Sequence, residues 1–170
     1  MKIINRSTIV AAIVLGLTSQ TQLSAAPQSA DRCENVFAEG SGPLVNIGGT
    51  VGFAPTPATF GDVPGLLSSI VTSYDASGAA GQGAQHLTLV HTFVSTDANR
   101  PGSFTTSDRA VCAPAGSGPA VCRVNDVLTI VSGTGVFANA GGSLRNHGLI
   151  DFSTFSLTYS IRGRVCGDGL

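Results

Sequence analysis

Thr154-Phe155-Ser156-Leu157-Thr158-Tyr159-Ser160-Ile161-Arg162-Gly163-Arg164-Val165 alternates apolar and polar side chains with a period of two. Phe155, Leu157, Tyr159, Ile161 and Val165 share one face, while Thr154, Ser156, Thr158, Ser160, Arg162 and Arg164 share the other. Successive side chains of a strand point to opposite sides, so the run reads as an antiparallel strand with one dry face and one wet face. A helix would need apolar residues three and four apart, and no stretch beyond residue 26 shows that spacing convincingly.

The same pattern recurs towards the N-terminus. Ser143 to Phe152, Cys122 to Val131, Gly102 to Cys112, Ala84 to Ser95, Leu66 to Tyr74 and Leu44 to Phe53 read as further strands, with Cys33 to Glu39 opening the series. Gly-, Ser- and Pro-rich connectors separate them, notably Asp75 to Gly83 and Ser95 to Gly102. About eight strands without crossover helices predict an all-β fold: a single closed antiparallel barrel, with a β-sandwich as the alternative. Closure removes exposed strand edges, and eight strands make an interior that side chains just fill or that holds one small ligand. No fixed-period repeat points to a solenoid.

The compartment is read from the other end of the chain. Lys2 and Arg6 precede an uncharged run from Ile9 to Leu17, followed by polar Thr18 to Gln22 and small Ser24-Ala25. That order is a secretory leader, and its apolar run is far short of the roughly 20 residues needed to span a bilayer. Residues 1–25 are therefore expected to be a signal peptide and 26–170 one domain, secreted or periplasmic, with no membrane insertion after cleavage. Lys2 is the only lysine, so the remaining charge is seven arginines against ten carboxylates, a net −3. The largest basic cluster is Arg162 with Arg164, which argues against a nucleic-acid partner.

Four cysteines in an exported chain predict two disulfides. Cys112 and Cys122 flank the Pro/Gly-rich stretch Ala113 to Ala120, as residues facing each other across a hairpin would. Cys33 and Cys166 would tie the two ends of the domain together. Their spacings of 79, 10 and 44 residues match no metal-binding pattern, and the histidines lack ligand spacing, so no metal is expected. No cofactor fingerprint survives either. Gly133-Thr134-Gly135 running on to Ala138 would have to open a helix to bind a dinucleotide, and Asn139-Ala140-Gly141-Gly142 breaks one. Serine-hydrolase, phosphate-loop and zincin motifs are absent from the sequence.

The run Ser132-Gly133-Thr134-Gly135-Val136-Phe137-Ala138-Asn139-Ala140-Gly141-Gly142 resembles the Gly-Gly-Thr-Gly-x-Phe-x-x-Ala-x-Gly segment of the allene oxide cyclase and dirigent superfamily. Ser132 stands where the family has its first glycine. A strand carrying Asn125-Asp126 precedes the run, and Leu144-Arg145-Asn146-His147-Gly148 follows it, so the likeness is greatest to secreted bacterial members of the group. The resemblance implies an eight-stranded calycin-like barrel. Some members cyclise a fatty-acid epoxide and others direct phenoxy radical coupling, using polar residues inside the barrel; no catalytic residue is carried over to this sequence. The glycines themselves read as turn and bulge formers between strands.

Chemistry in such a barrel is sought as polar residues on dry faces. His91 alternates with Leu87, Leu89 and Phe93, and Asp108 with Phe104, Thr106, Ala110 and Cys112. Asp126 shares a face with Val124, Leu128 and Ile130; Asn146 lies between Leu144 and Ile150; Tyr159 belongs to the row quoted first. Together these five are the candidate lumen residues, with His91 and the aspartates able to exchange protons. Three functions fit this reading. The first is a barrel binding a small hydrophobic molecule in its lumen, and the second a non-redox cyclase or isomerase of the kind the resemblance implies. The third is a structural protein whose interior is filled by side chains such as Phe93, Phe155 and Tyr159.

Overall fold

The computed structural model describes residues 32–47, 49–75, 83–116 and 120–167, so the expected leader lies outside the described residues. Eight strands follow one another: β1 (Arg32–Ile47), β2 (Thr50–Phe60), β3 (Val63–Asp75), β4 (Gln85–Ser95), β5 (Gly102–Pro114), β6 (Val121–Gly135), β7 (Gly141–Asp151) and β8 (Ser156–Gly167). Each pairs antiparallel with the next, and β8 pairs back onto β1, which closes the barrel and sets aside the sandwich. Arg32 to Pro43 of β1 run along β8, and Leu44 to Ile47 run along β2. One strand thus serves two neighbours in succession and seals the ring.

Two sequence expectations are corrected. Leu44 to Phe53 is not one strand but a hairpin, in which Leu44 pairs with Phe53 and Ile47 with Thr50. Gly49, at φ 90, makes the turn, and its N–H donates to Asn46 Oδ1 at 2.9 Å. Val45, Ile47, Val51 and Phe53 keep the same period-two phase on both sides of that turn, so periodicity alone did not reveal it. Phe155 is not in the inward row either. It is 64% exposed and sits at φ 50 in the β7–β8 turn. Asp151 Oδ1 accepts from the Ser153 N–H at 2.8 Å and the Thr154 N–H at 3.3 Å. That carboxylate turns the chain before the pleat of β8 begins.

The two ends of the barrel differ. The β2–β3, β4–β5 and β6–β7 connections share one end with the start of β1 and the close of β8. This end is plugged by Phe60, Phe93, Phe104 and Phe137, whose ring centroids lie 4.7 to 5.5 Å apart. Edge-to-face and offset contacts of this kind add to the large area each ring buries. Phe137 comes from the Ser132–Gly142 run and is fully buried. A Cβ at Gly133 would collide with the Phe137 carbonyl, so the glycine is what lets the turn fold back to insert the plug. The run is structural.

Both disulfides form as the spacings predicted. Cys33–Cys166 staples β1 to β8 at directly opposed positions, and Cys112–Cys122 bridges β5 and β6 near the other end.

Candidate functional site

Four adjacent strands each turn one polar side chain into the barrel: His91 from β4, Asp108 from β5, Asp126 from β6 and Asn146 from β7. Their exposures are 3%, 0%, 3% and 4%, amid Leu89, Leu128, Leu144 and Ile161. Sheet register explains why residues so far apart in sequence meet. Asp126 stands directly opposite Asn146, whereas Asp108 is displaced by two residues from Asp126, because its own partners are Leu89 and Leu128. The stagger of a closed barrel carries the polar row obliquely across the wall, one residue per strand.

Asp108 is the anchor. Its Oδ2 accepts from Thr106 Oγ1 at 2.7 Å and from the His91 backbone N–H at 3.2 Å, and lies 2.7 Å from His91 Nδ1. The His91 N–H is shared with Thr106 Oγ1 at 3.0 Å. With Asp108 ionised, this arrangement places the proton on His91 Nδ1 and leaves Nε2 as the basic nitrogen. Thr106 and Asp108 face inward together because β5 alternates without a break from Phe104 to Cys112.

Asp126 lies in poorer surroundings. Neither of its carboxylate oxygens has a hydrogen-bond partner, and Asp108 Oδ1 and Asn146 Oδ1 are likewise unpartnered. Its Oδ2 is 4.0 Å from His91 Nδ1. Removal from water pushes the Asp126 pKa up to about 7, with the Asp108 charge adding to the rise and His91 opposing it. The Asn146 amide tempers the rise a little, although its approach falls short of a sound hydrogen bond. None of the described arginines is buried, so none neutralises the two acids.

Tyr159 stands apart. Its hydroxyl is 3.1 Å from Thr56 Oγ1 and donates to the Pro57 carbonyl at 3.4 Å, and its ring lies 5.6 Å from Phe53. Burial raises its pKa, with the Thr56 hydrogen bond working against the rise. Gly40 makes room for it, since any Cβ there would meet the phenol ring. Of the five candidate lumen residues, His91, Asp108, Asp126 and Asn146 converge, and Tyr159 belongs to a separate polar contact. Thr56 and Ser69, both buried, were missed. Thr56 follows a bulge between Phe53 and Thr56 that breaks the alternation, and Ser69 is a small residue in an otherwise apolar row. Thr106 had a signal: it precedes Asp108 by two on the same face.

The centre of the barrel is not an open tube. Phe53, Leu67, Phe93, Leu128, Leu144 and Ile161 are essentially without exposure. The ligand-sized space lies instead at the unplugged end. There Thr50, Val71, Leu87, Cys112, Ile150 and Phe152 line a bowl of about 550 Å³, with Tyr74 and Gln85 at its rim. Below Leu87 and Cys112 the next inward layer is Leu89, Ala110 and Val124, and the polar cluster follows.

No family model matches the chain, and no curated protein matches it. Among solved structures, that of the pterocarpan synthase dirigent protein is similar over 88% of this chain and 98% of its own, at 16% identity and a TM-score of 0.44.

Proposed function

We propose that this is an exported barrel protein that binds a small, largely hydrophobic molecule at the open end of the barrel. The apolar bowl of about 550 Å³ carries the reading. Its volume falls in the range of small-molecule sites, its walls are mostly aliphatic and aromatic, and the few polar groups at Thr50, Tyr74 and Gln85 suffice to orient a ligand. Two disulfides support an oxidising compartment, where such bonds persist. Together with the charged, apolar and small-residue order of the leader, they support export.

The test is native mass spectrometry of the exported chain together with titration by an apolar fluorescent probe. A stoichiometric adduct or saturable probe binding is expected, weakened by Gln85→Trp at the rim, which fills the bowl. A chain that carries no adduct and does not enhance the probe above an unrelated barrel overturns the reading and leaves the structural alternative.

A second reading, a non-redox cyclase or isomerase, is favoured by the His91–Asp108 pair lying under the bowl with Asp126 beside it. A histidine paired with one carboxylate and lying beside a second, partly protonated carboxyl can move a proton without any bound oxidant. Turnover of an unsaturated or epoxide probe, lost in both His91→Ala and Asp126→Asn, would support it. Binding without turnover sets it aside.

A further inference from the structure

Buried acceptors without donors need a positive partner. Asp108 Oδ1, both oxygens of Asp126 and Asn146 Oδ1 are buried acceptors with no hydrogen bond, on residues that are at most 4% exposed. Leaving such groups unmet costs roughly 1–3 kcal/mol apiece, and more when they are charged. Among the described residues, the one basic side chain in contact with these acids is His91, which already faces Asp108. A single imidazolium cannot answer two carboxylates and an amide oxygen.

Distances within the cluster suit one shared ion that displaces the proton between His91 Nδ1 and Asp108 Oδ2. Metal–nitrogen and metal–oxygen bonds of about 2.1 Å let two ligands of one ion stand up to about 4.2 Å apart. His91 Nδ1 is 2.7 Å from Asp108 Oδ2 and 4.0 Å from Asp126 Oδ2, and one donor atom from each of the three residues lies within 4.8 Å of the others. A small side-chain rotation of one aspartate closes the remaining gap. The three residues sit on three consecutive strands whose register the closed sheet holds, so the donors are preorganised.

We infer that His91, Asp108 and Asp126, with Asn146 Oδ1 beside them, form a buried site for one divalent first-row metal ion of the zinc or manganese class. One imidazole with carboxylate and amide oxygens suits these ions. Copper(I) would want thiolate or thioether, and calcium more oxygen ligands than the four residues supply. Two carboxylates balance the charge of the ion, and Asn146 Oδ1 gains the partner it lacks. Sequence spacing could not show the site. His91, Asp108 and Asp126 have no ligand motif along the chain and meet only across the sheet. The inference does not rest on a ligand in the bowl, since the residues lining the bowl contribute none of the donors.

The test uses the exported, disulfide-bonded chain, stripped with a chelator and titrated with Zn²⁺ and with Mn²⁺ against a chromophoric competitor at pH 7.5. One ion per chain by elemental analysis, a raised thermal midpoint and a visible ligand-field band with Co²⁺ are expected. Asp126→Asn, close to isosteric, keeps the fold by circular dichroism and weakens binding by roughly 100-fold or more; Asp108→Asn serves as a second variant. His86→Ala and His147→Ala, at exposed positions, leave it unchanged. The proposal fails if the folded chain shows no saturable binding. It also fails if binding survives both aspartate variants, or is lost with His86 or His147, which would place the ion on the surface. Protons alone would then satisfy the cluster. Probe binding in the bowl is read separately, so failure of either result leaves the other standing.

Discussion

Asp126 shows most directly what burial does to a single residue. Its pKa of about 7, against an ordinary value of 3.8, means that the folded chain holds the proton more tightly than the unfolded chain does. The group's contribution to stability is therefore full below about pH 4 and is lost as pH rises through about 7. At 1.36 kcal/mol per pH unit, the window corresponds to about 4 kcal/mol. In chelator-treated protein, Asp126→Asn should be more stable than the parent at pH 7.5 by up to about that amount. The gain should shrink towards zero near pH 4, as read by denaturant melts across the range. A difference independent of pH would show that Asp126 is solvated. Asp108 differs because Thr106 and the His91 backbone already donate to it. Removing those donors should be costly, and Thr106→Val is expected to destabilise by about 1–3 kcal/mol, measured the same way.

Strands and turns carry the next level of argument. The Ser132–Gly142 run links β6 to β7 and delivers Phe137 into the ring cluster with Phe60, Phe93 and Phe104. Phe137→Ala should cost about 3–5 kcal/mol by urea unfolding, because Phe93 and Phe104 lose a ring neighbour and cannot collapse into the space. Gly133→Ala attacks the same turn through the backbone. Its Cβ would meet the Phe137 carbonyl, so a loss on the order of 2 kcal/mol is expected with the barrel otherwise unchanged. If Gly133→Ala melts like the parent, the turn is more pliable than its contacts imply. Alternation made β8, β4 and β6 legible, since each buries every second residue. It failed at the β1–β2 hairpin and at Phe155, where a left-handed residue and an aspartate-centred turn reset the chain. Those are local backbone events, and hydropathy does not encode them.

For the molecule as a whole, closure is the governing feature. Cys33–Cys166 spans a sequence separation of 133 residues and pins the β1–β8 seam, while Cys112–Cys122 spans only 10. In the chain-entropy picture these are worth about 5 and about 3 kcal/mol respectively. Replacing Cys33 and Cys166 with alanine should therefore lower stability by about 2 kcal/mol more than replacing the other pair, compared at one pH in guanidinium melts. Equal losses would mean that the seam is held by its strand pairing alone. The two ends differ because Phe60 of β2, Phe93 of β4, Phe104 of β5 and Phe137 of the β6–β7 connection fill one end, whereas the other keeps the bowl.

Sequence by itself determined the strand class, the paired cysteines, the sparse charge and most of the inward rows, Phe155, Thr56 and Ser69 excepted, since each depends on local alternation or composition. Only the tertiary structure decided that His91, Asp108, Asp126 and Asn146 meet while Tyr159 pairs with Thr56, and that the space for a ligand lies at one end. Those outcomes depend on the stagger between neighbouring strands and on three bulges, which set how far each residue is carried around the barrel. A one-residue change in register moves a side chain to the other face, and no single strand records the register of its neighbour.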